Sequence, residues 1–238
     1  ITIEKGATVA QVAEELQQQG IIRNAFAYRL WIKISGSELT IHSGDHQFSP
    51  SMTLDEVSNS FNAVSEDVRI LFKEGLRQEQ YAEVIKNKVG PTFDAALFTK
   101  LAAPKEGMLF PDTYDFQKNV TPEQIVKRLN DQFESNYKNL NGPTDPAKKK
   151  EVVIIASLLE REGINDEDRA IISGIIQNRL RIGMKLDIDA TLQYLADSTN
   201  KPTVWWADPI VTYKDSSSPY NTYKVAGLPP TPICNPGS

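Results

Sequence analysis

Residues 154–163 read IIASLLEREG, an apolar run that closes on two acids and a glycine. On a helix of 3.6 residues per turn, Ile155, Leu158, Leu159 and Glu162 fall at i, i+3, i+4 and i+7. Glu162 therefore continues the stripe made by the three apolar residues, while Glu160 points away from it. An acid on the apolar side of a helix is desolvated, which raises its pKa and lets it hold a proton near neutral pH, as a general acid must. The competing reading is that the stripe simply ends at Gly163 and that Glu162 reaches water. Glu160, close in sequence to Arg161 and Arg169, reads as a surface ion-pair partner.

Working outward, Pro146 to Glu162 reads as one helix, and a second from about Asp168 to Arg181 carries Ile171, Ile172, Ile175, Ile176 and Leu180 before Gly183 ends it. The two predict a helical core pair. Thr121-Pro122-Glu123-Gln124 is an N-cap with proline at the first helical position, and Ile125, Leu129, Gln132 and Phe133 carry that helix onward. Nearer the start, Ile1-Thr2-Ile3 alternates like a strand, Gly6 turns the chain, and Val9, Val12, Ala13 and Leu16 give a helical apolar face. A helix from about 24 to 33, with Phe26, Leu30 and Ile34 on one side, leads to a strand at Leu39-Thr40-Ile41. Thr53-Leu54-Asp55-Glu56 reads as a capping box. Gly6, Ala13 and Glu14 are echoed by Gly75, Ala82 and Glu83, each set placed as strand, turn and helix. Prolines and the Ser216-Ser217-Ser218 run make the chain beyond residue 200 mostly irregular, putting Trp205, Trp206, Tyr213, Tyr220 and Tyr223 on loops. The fold class is α+β, with a boundary near residue 62.

With 238 residues, 40% hydrophobic and 24% charged, the chain can bury a core as one large domain or two small ones. A net charge of −5 and the lack of a basic run with interleaved aromatics argue against nucleic acid or an anionic membrane surface as a partner. The single cysteine, Cys234, allows no internal disulfide, and with His42 and His46 it makes no zinc pattern. No apolar run approaches the roughly 18 residues of a membrane span, and no signal peptide is present. The chain starts at Ile1 and stops at Ser238, and both ends look cut, so a missing anchor says nothing of a longer parent.

Other chemical candidates are few. Asp187 and Asp189 in GMKLDIDATLQY (183–194) could supply a second carboxylate of the kind paired-acid glycosidases need, since a spacing of two in an extended segment shares one face. The alternative is a solvated strand end after Gly183. His42 and His46 flank a Gly-Asp turn and read as surface polarity, with no metal. Cys234 lies between Pro232 and Pro236 without a neighbouring base, the serines form no nucleophile elbow, and no glycine-rich phosphate loop exists. No cofactor is expected. In SPYNTYKVAGLPP (218–230), rings can pack on pyranose faces while Asn221 and Thr222 bond hydroxyl or acetamido groups; the same loop reads equally as a turn closing the core.

Four ordered motifs, EGMLFPDTY (106–114), ASLLERE (156–162), NRLRIGMKLDIDATLQY (178–194) and SPYNTYKVAGLPPTPICNPG (218–237), resemble the MltG (YceG-like) endolytic murein transglycosylases. The resemblance covers most of residues 65 to 238, and residues 1–62 look like the LysM-like module that precedes the catalytic region there. It implies cleavage of the β-1,4 bond between N-acetylmuramic acid and N-acetylglucosamine within peptidoglycan glycan strands, leaving a 1,6-anhydro end and consuming no water. The family's catalytic glutamate falls on Glu162, the residue the helical stripe also selects. Also implied are a bacterial inner-membrane anchor outside this sequence, an extracytoplasmic (periplasmic) catalytic part, and peptidoglycan synthases (penicillin-binding proteins) as partners. The sequence departs from the pattern at Gly163, where Ala or Thr is common, at Ala190, which replaces a proline, and in ending after NPGS where relatives continue.

The expectation is thus a LysM-like module (1–62) and a C-terminally truncated catalytic domain (63–238) whose buried helix presents Glu162 to a cleft. Its walls are Asp189, Thr191 and Tyr194 on one side and Tyr220, Asn221, Thr222 and Tyr223 on the other. Two rivals stand beside it: a hydrolytic muramidase using Asp187 or Asp189 to direct water, and a noncatalytic peptidoglycan-binding scaffold.

Overall fold

The computed structural model describes residues 1–3, 7–35, 41, 44–46, 48–62, 68–200, 204–207 and 211–237. The chain divides into two compact units, Ile1–Glu66 and Asp67–Ser238. Among the described residues no helix is long and apolar enough to cross a membrane.

In the first unit β1 (Thr2–Ile3) pairs antiparallel with β2 (Gly44–Asp45). Between them lie α1 (Val9–Gln18) and α2 (Ala25–Ser35), and α3 (Leu54–Asn62) follows. Thr8 and Gln11 exchange side-chain and backbone bonds at the start of α1, and Thr53 and Glu56 do the same before α3. Each cap satisfies N–H groups that a helix end leaves unpaired, a gain of about 1 kcal/mol. Val12, Ala13 and Leu16 are buried as expected, but α2 is turned the other way: Phe26, Leu30 and Ile34 are exposed, and Tyr28 and Ile32 are buried. The cause is Tyr28, whose hydroxyl lies 2.9 Å from Ser58 Oγ and whose ring stacks on Trp31. A satisfied phenol packs inside as well as a phenyl ring does. His46, expected at the surface, is buried against Phe48 and Phe61, and the expected Gly-Asp turn is β2. Gly6, His42 and Leu39-Thr40 lie outside the described residues, and with Gly6 goes one half of the internal echo.

The second unit opens with β3 (Val68–Leu71), which pairs antiparallel with β4 (Thr113–Phe116), Ile70 opposite Tyr114. Between these strands lie α4 (Gln78–Val89) and α5 (Ala95–Ala102); α6 (Pro122–Asn139) follows β4, entered through the predicted Thr121 capping box with Pro122 at its first position. These elements enclose an aromatic core in which the Phe72 ring meets Tyr81 and Tyr114 edge-on, at 4.8 and 5.8 Å between centroids. Next come α7 (Pro146–Glu162), α8 (Asp166–Arg181) and α9 (Asp189–Asn200). A second core gathers Ile154, Leu158, Ile176, Leu186, Ile188 and Ile233.

The buried face of α7 is Val153, Ile154, Ser157 and Leu158, one step round from the expected row. Ser157 explains the rotation. Its hydroxyl donates to Ile154 O at 2.7 Å and accepts the Ile233 N–H at 3.1 Å, while Cys234 Sγ donates to Ser157 O. A polar residue expected outside is thus satisfied inside by the C-terminal segment, and Glu162 is left at the border of the buried face. The α7–α8 pair exists but is narrower than expected, because Ile171 and Ile175 are exposed and only Ile176 of α8 is fully buried.

The same C-terminal segment closes on the motif at 106–114. Asn235 Oδ1 accepts the N–H groups of Gly107 and Leu109 at 2.9 and 3.1 Å, and its Nδ2 donates to Leu76 O and to Glu106 Oε1. Gly107 has φ +81°, and a Cβ there would meet Pro232 Cβ at 2.5 Å, so glycine is required on two counts. Glu106, 4% exposed, has its pKa pushed up to about 8, first by desolvation and then by the charge of Glu79.

Candidate active site

Helix α7 ends at Glu162, with the Gly163 N–H donating to Leu159 O at 2.8 Å. A Cβ on Gly163 would stand 2.4 Å from Arg169 Cγ, so this glycine lets α8 fold back close to α7. Arg169 reaches Glu160 at 3.3 Å, which makes the predicted ion pair real, yet the Glu160 side chain is only 11% exposed and also accepts the Gly237 N–H. It is the more enclosed of the two acids, the reverse of the expectation.

Glu162 as a whole is exposed, but its carboxyl group leans on the start of α9, where Oε1 accepts the Ala190 N–H at 3.4 Å. Desolvation is the main cause that raises its pKa, and the charge of Asp189 adds to the rise; the Ala190 N–H and Arg161 pull the other way. The side chain thus has a solvent-facing side and a protein-facing carboxyl, and its pKa lies above the ordinary carboxylate value.

Asp189, exposed at the first position of α9, accepts a 2.5 Å bond from the Tyr223 hydroxyl. That bond is the first cause of the rise of the Tyr223 pKa to about 12, with burial second. Asp187 does not share this face. It adopts φ +51° and turns to Arg179, 3.4 Å away, because α9 begins at Asp189 and the segment is not the extended run that the spacing assumed.

The remaining wall residues divide by exposure. Thr191 and Thr222 are fully buried: Thr191 Oγ1 donates to Ile188 O at 2.7 Å, the two hydroxyls are 2.9 Å apart, and Thr222 Oγ1 accepts the Ile188 N–H. They latch the 218–230 loop to the start of α9 and offer no surface to a sugar. Asn221, also buried, donates Nδ2 to the carbonyls of Tyr213, Lys214 and Ser216 and holds the loop's curvature. Tyr194 and Tyr220 pack ring to ring at 4.9 Å, and the Tyr220 hydroxyl lies 2.7 Å from Thr231 Oγ1. At the rim, then, stand Glu162, Asp189 and Tyr223.

Several supporting residues carried no mark in the sequence. Arg77, 1% exposed, holds its guanidinium 4.0 Å from the Tyr194 ring centre and donates to Tyr194 O, Ser198 Oγ and Glu79. Arg161 lies 4.1 Å from the centre of the Trp206 ring; Trp206 has φ +59° and is fixed by bonds from its N–H to Asp197 and from Nε1 to Gln80. Tyr194 and Ser198 for Arg77, Trp206 for Arg161 and Gln80 for Trp206 all lie far off in sequence. Glu106 and Asn235 did fall inside the quoted motifs, which was the available signal.

Fold and site together define an α+β protein in which a glutamate of raised pKa stands at a helix end, near a second carboxylate that is bonded to a tyrosine. More narrowly, the chain belongs to the YceG-like family, whose model matches residues 1–238. It is 27% identical over 267 aligned positions to an endolytic murein transglycosylase of Bacillus subtilis, covering 100% of this chain and 72% of that protein. An endolytic murein transglycosylase of Streptococcus pneumoniae strain D39 is 24% identical over 99% of this chain, which spans 50% of that relative's length. The crystal structure of a YceG-like protein from Listeria monocytogenes matches with a TM-score of 0.61 and 25% identity, covering 100% of this chain and 85% of that one.

Proposed function

We propose that this chain is an endolytic peptidoglycan lytic transglycosylase that cuts the β-1,4 bond between N-acetylmuramic acid and N-acetylglucosamine inside glycan strands. The observation that carries the reading is the Glu162 carboxyl, desolvated against the Ala190 N–H at the open end of α7. Protonated Glu162 gives its proton to the bridging oxygen as the bond from the muramic C1 breaks, releasing the N-acetylglucosamine 4-hydroxyl. The muramic 6-hydroxyl then bonds to C1, and the Glu162 carboxylate takes its proton. The acid is restored, the muramic end is a 1,6-anhydro sugar, and no water enters. The sugar supplies its own nucleophile, so no second carboxylate has to act, unlike the two-acid arrangements.

Asp189 and Tyr223 are assigned to the cleft wall beside the acid, with Asp189 helping to keep it protonated; Tyr194 and Tyr220 support that wall, and Thr191, Asn221 and Thr222 position it. The first unit is assigned as the LysM-like module. The relatives' names and the resemblance support an extracytoplasmic setting, with a membrane anchor outside this sequence and peptidoglycan synthases as partners. A hydrolytic alternative has one observation in its favour, the Asp189 carboxylate next to Glu162, which could direct a water.

Mass spectrometry of purified glycan digested by wild type and by Glu162→Gln tests the proposal. Anhydro products from wild type and none from the variant are expected. Anhydro products retained by the variant would overturn the assignment of Glu162, products heavier by one water would mark a muramidase, and no cleavage by either would leave a scaffold.

A further inference from the structure

A groove of about 540 Å3 runs beside α7, lined by Lys150, Glu151 and Ile155 of that helix, by Leu180 of α8, and by Leu228 and Pro230 of the C-terminal loop. Helix geometry relates it to the acid. Glu151, Ile155 and Glu162 are spaced by four and seven residues, so they lie along one side of α7. At 1.5 Å per residue, Ile155 is about 10 Å and Glu151 about 16 Å along the axis from Glu162. The loop that supplies one wall also reaches the site, since Leu228 belongs to the same 218–230 segment as Tyr223, which bonds Asp189.

The muramic sugar of a peptidoglycan strand carries a short peptide rich in alanine, with carboxylates and an amino group toward its far end. Four or five extended residues reach about 14–17 Å, which matches the distance from Glu162 to Glu151. Ile155, Leu180, Leu228 and Pro230 offer an apolar floor for methyl groups. Lys150 and Glu151, both exposed at the far end, offer one charge of each sign for a carboxylate and an ammonium. We propose that this groove is a subsite for the peptide stem of the muramic sugar being cut, so that peptide-bearing strands are preferred to bare ones. The proposal rests on the transglycosylase reading and adds to it the chemical class of the substrate's side branch.

The test uses the Glu162→Gln chain, titrated calorimetrically with strands of one length, either bearing peptides or stripped of them by an amidase. Peptide-bearing strands should bind at least about tenfold tighter, a difference of about 1.4 kcal/mol. Lys150→Ala/Glu151→Ala, a surface change that spares the fold, should bring that ratio toward one, and Leu228→Asp should do so independently. A ratio near one in the parent chain overturns the proposal, as does a full ratio in the double variant. A groove occupied by a second copy of the chain, seen as concentration-dependent mass in sedimentation that the double variant abolishes, overturns it too. Failure of the catalytic reading shows elsewhere, as anhydro products retained by Glu162→Gln, and leaves the affinity ratio readable.

Discussion

Glu106 and Glu162 are both glutamates whose pKa is raised mainly by desolvation, yet they sit in opposite kinds of place. Glu106 is sealed, with one oxygen accepting from Asn235 Nδ2 and the other from the Gln78 N–H. Glu162 is open to solvent along its side chain, and its carboxyl accepts one long bond from Ala190. A raised pKa therefore marks a reactive acid only when a ligand can reach it; where it cannot, the same shift is a cost of folding. Sealed and open acids should respond differently to the same substitution.

The widest separation is expected in turnover. Glu162→Gln should lower product formation by about 100-fold or more at an unchanged thermal midpoint, the scale of losing a general acid. Glu106→Gln should leave measurable turnover; a loss as deep as that of Glu162→Gln in a folded protein would erase the contrast.

Stability against pH sharpens it next. The folded pKa of Glu106, about 8, lies above its ordinary 4.5, so between those values the folded chain keeps a proton that the unfolded chain has released. Stability should then fall as pH rises from about 5 to 8, by on the order of 3 kcal/mol, and Glu106→Gln should flatten the curve in urea titrations. A wild-type curve already flat over that range would contradict the sealed state of Glu106.

Gly107→Ala probes the frame around that sealed acid. It should cost about 2 kcal/mol by urea denaturation, from the strained φ together with the clash against Pro232. The smallest effect belongs to the open acid. Asp189→Asn removes the neighbouring negative charge, so the Glu162 pKa should drop and the alkaline limb of kcat/KM should move to lower pH. A shift upward would mean that Asp189 acts on Glu162 by some route other than its charge.

Much of the fold could be read from local chemistry. The Thr121 box with Pro122 announced α6, the apolar run after Pro146 announced α7, and the end of that run pointed at Glu162. Reading failed wherever a polar side chain is buried on a partner distant in sequence. Ser157 is inside because Ile233 and Cys234 meet it, Tyr28 because Ser58 does, and Arg77 because Tyr194 and Ser198 do. Residue-by-residue hydrophobicity assigns such groups to the surface, which shifted the α7 stripe by one step and turned α2 over. At the cleft, Thr191 and Thr222 were chosen for chemistry they can offer a sugar, and their hydroxyls are spent on Ile188 and each other.

The Asn235 amide has a bearing on how this chain is made. It caps the backbone at Gly107 from 128 residues downstream, and without it those N–H groups would be buried unpaired. A ribosome adding 5–20 residues per second needs on the order of ten seconds to cover that interval. Until residue 235 emerges, the N–H groups of Gly107 and Leu109 lack that acceptor, although every buried residue of the aromatic core, from Ile70 to Leu129, has already been made. The last polar lock of the second unit is thus set after the core that it borders, by the segment that also meets Ser157 on α7.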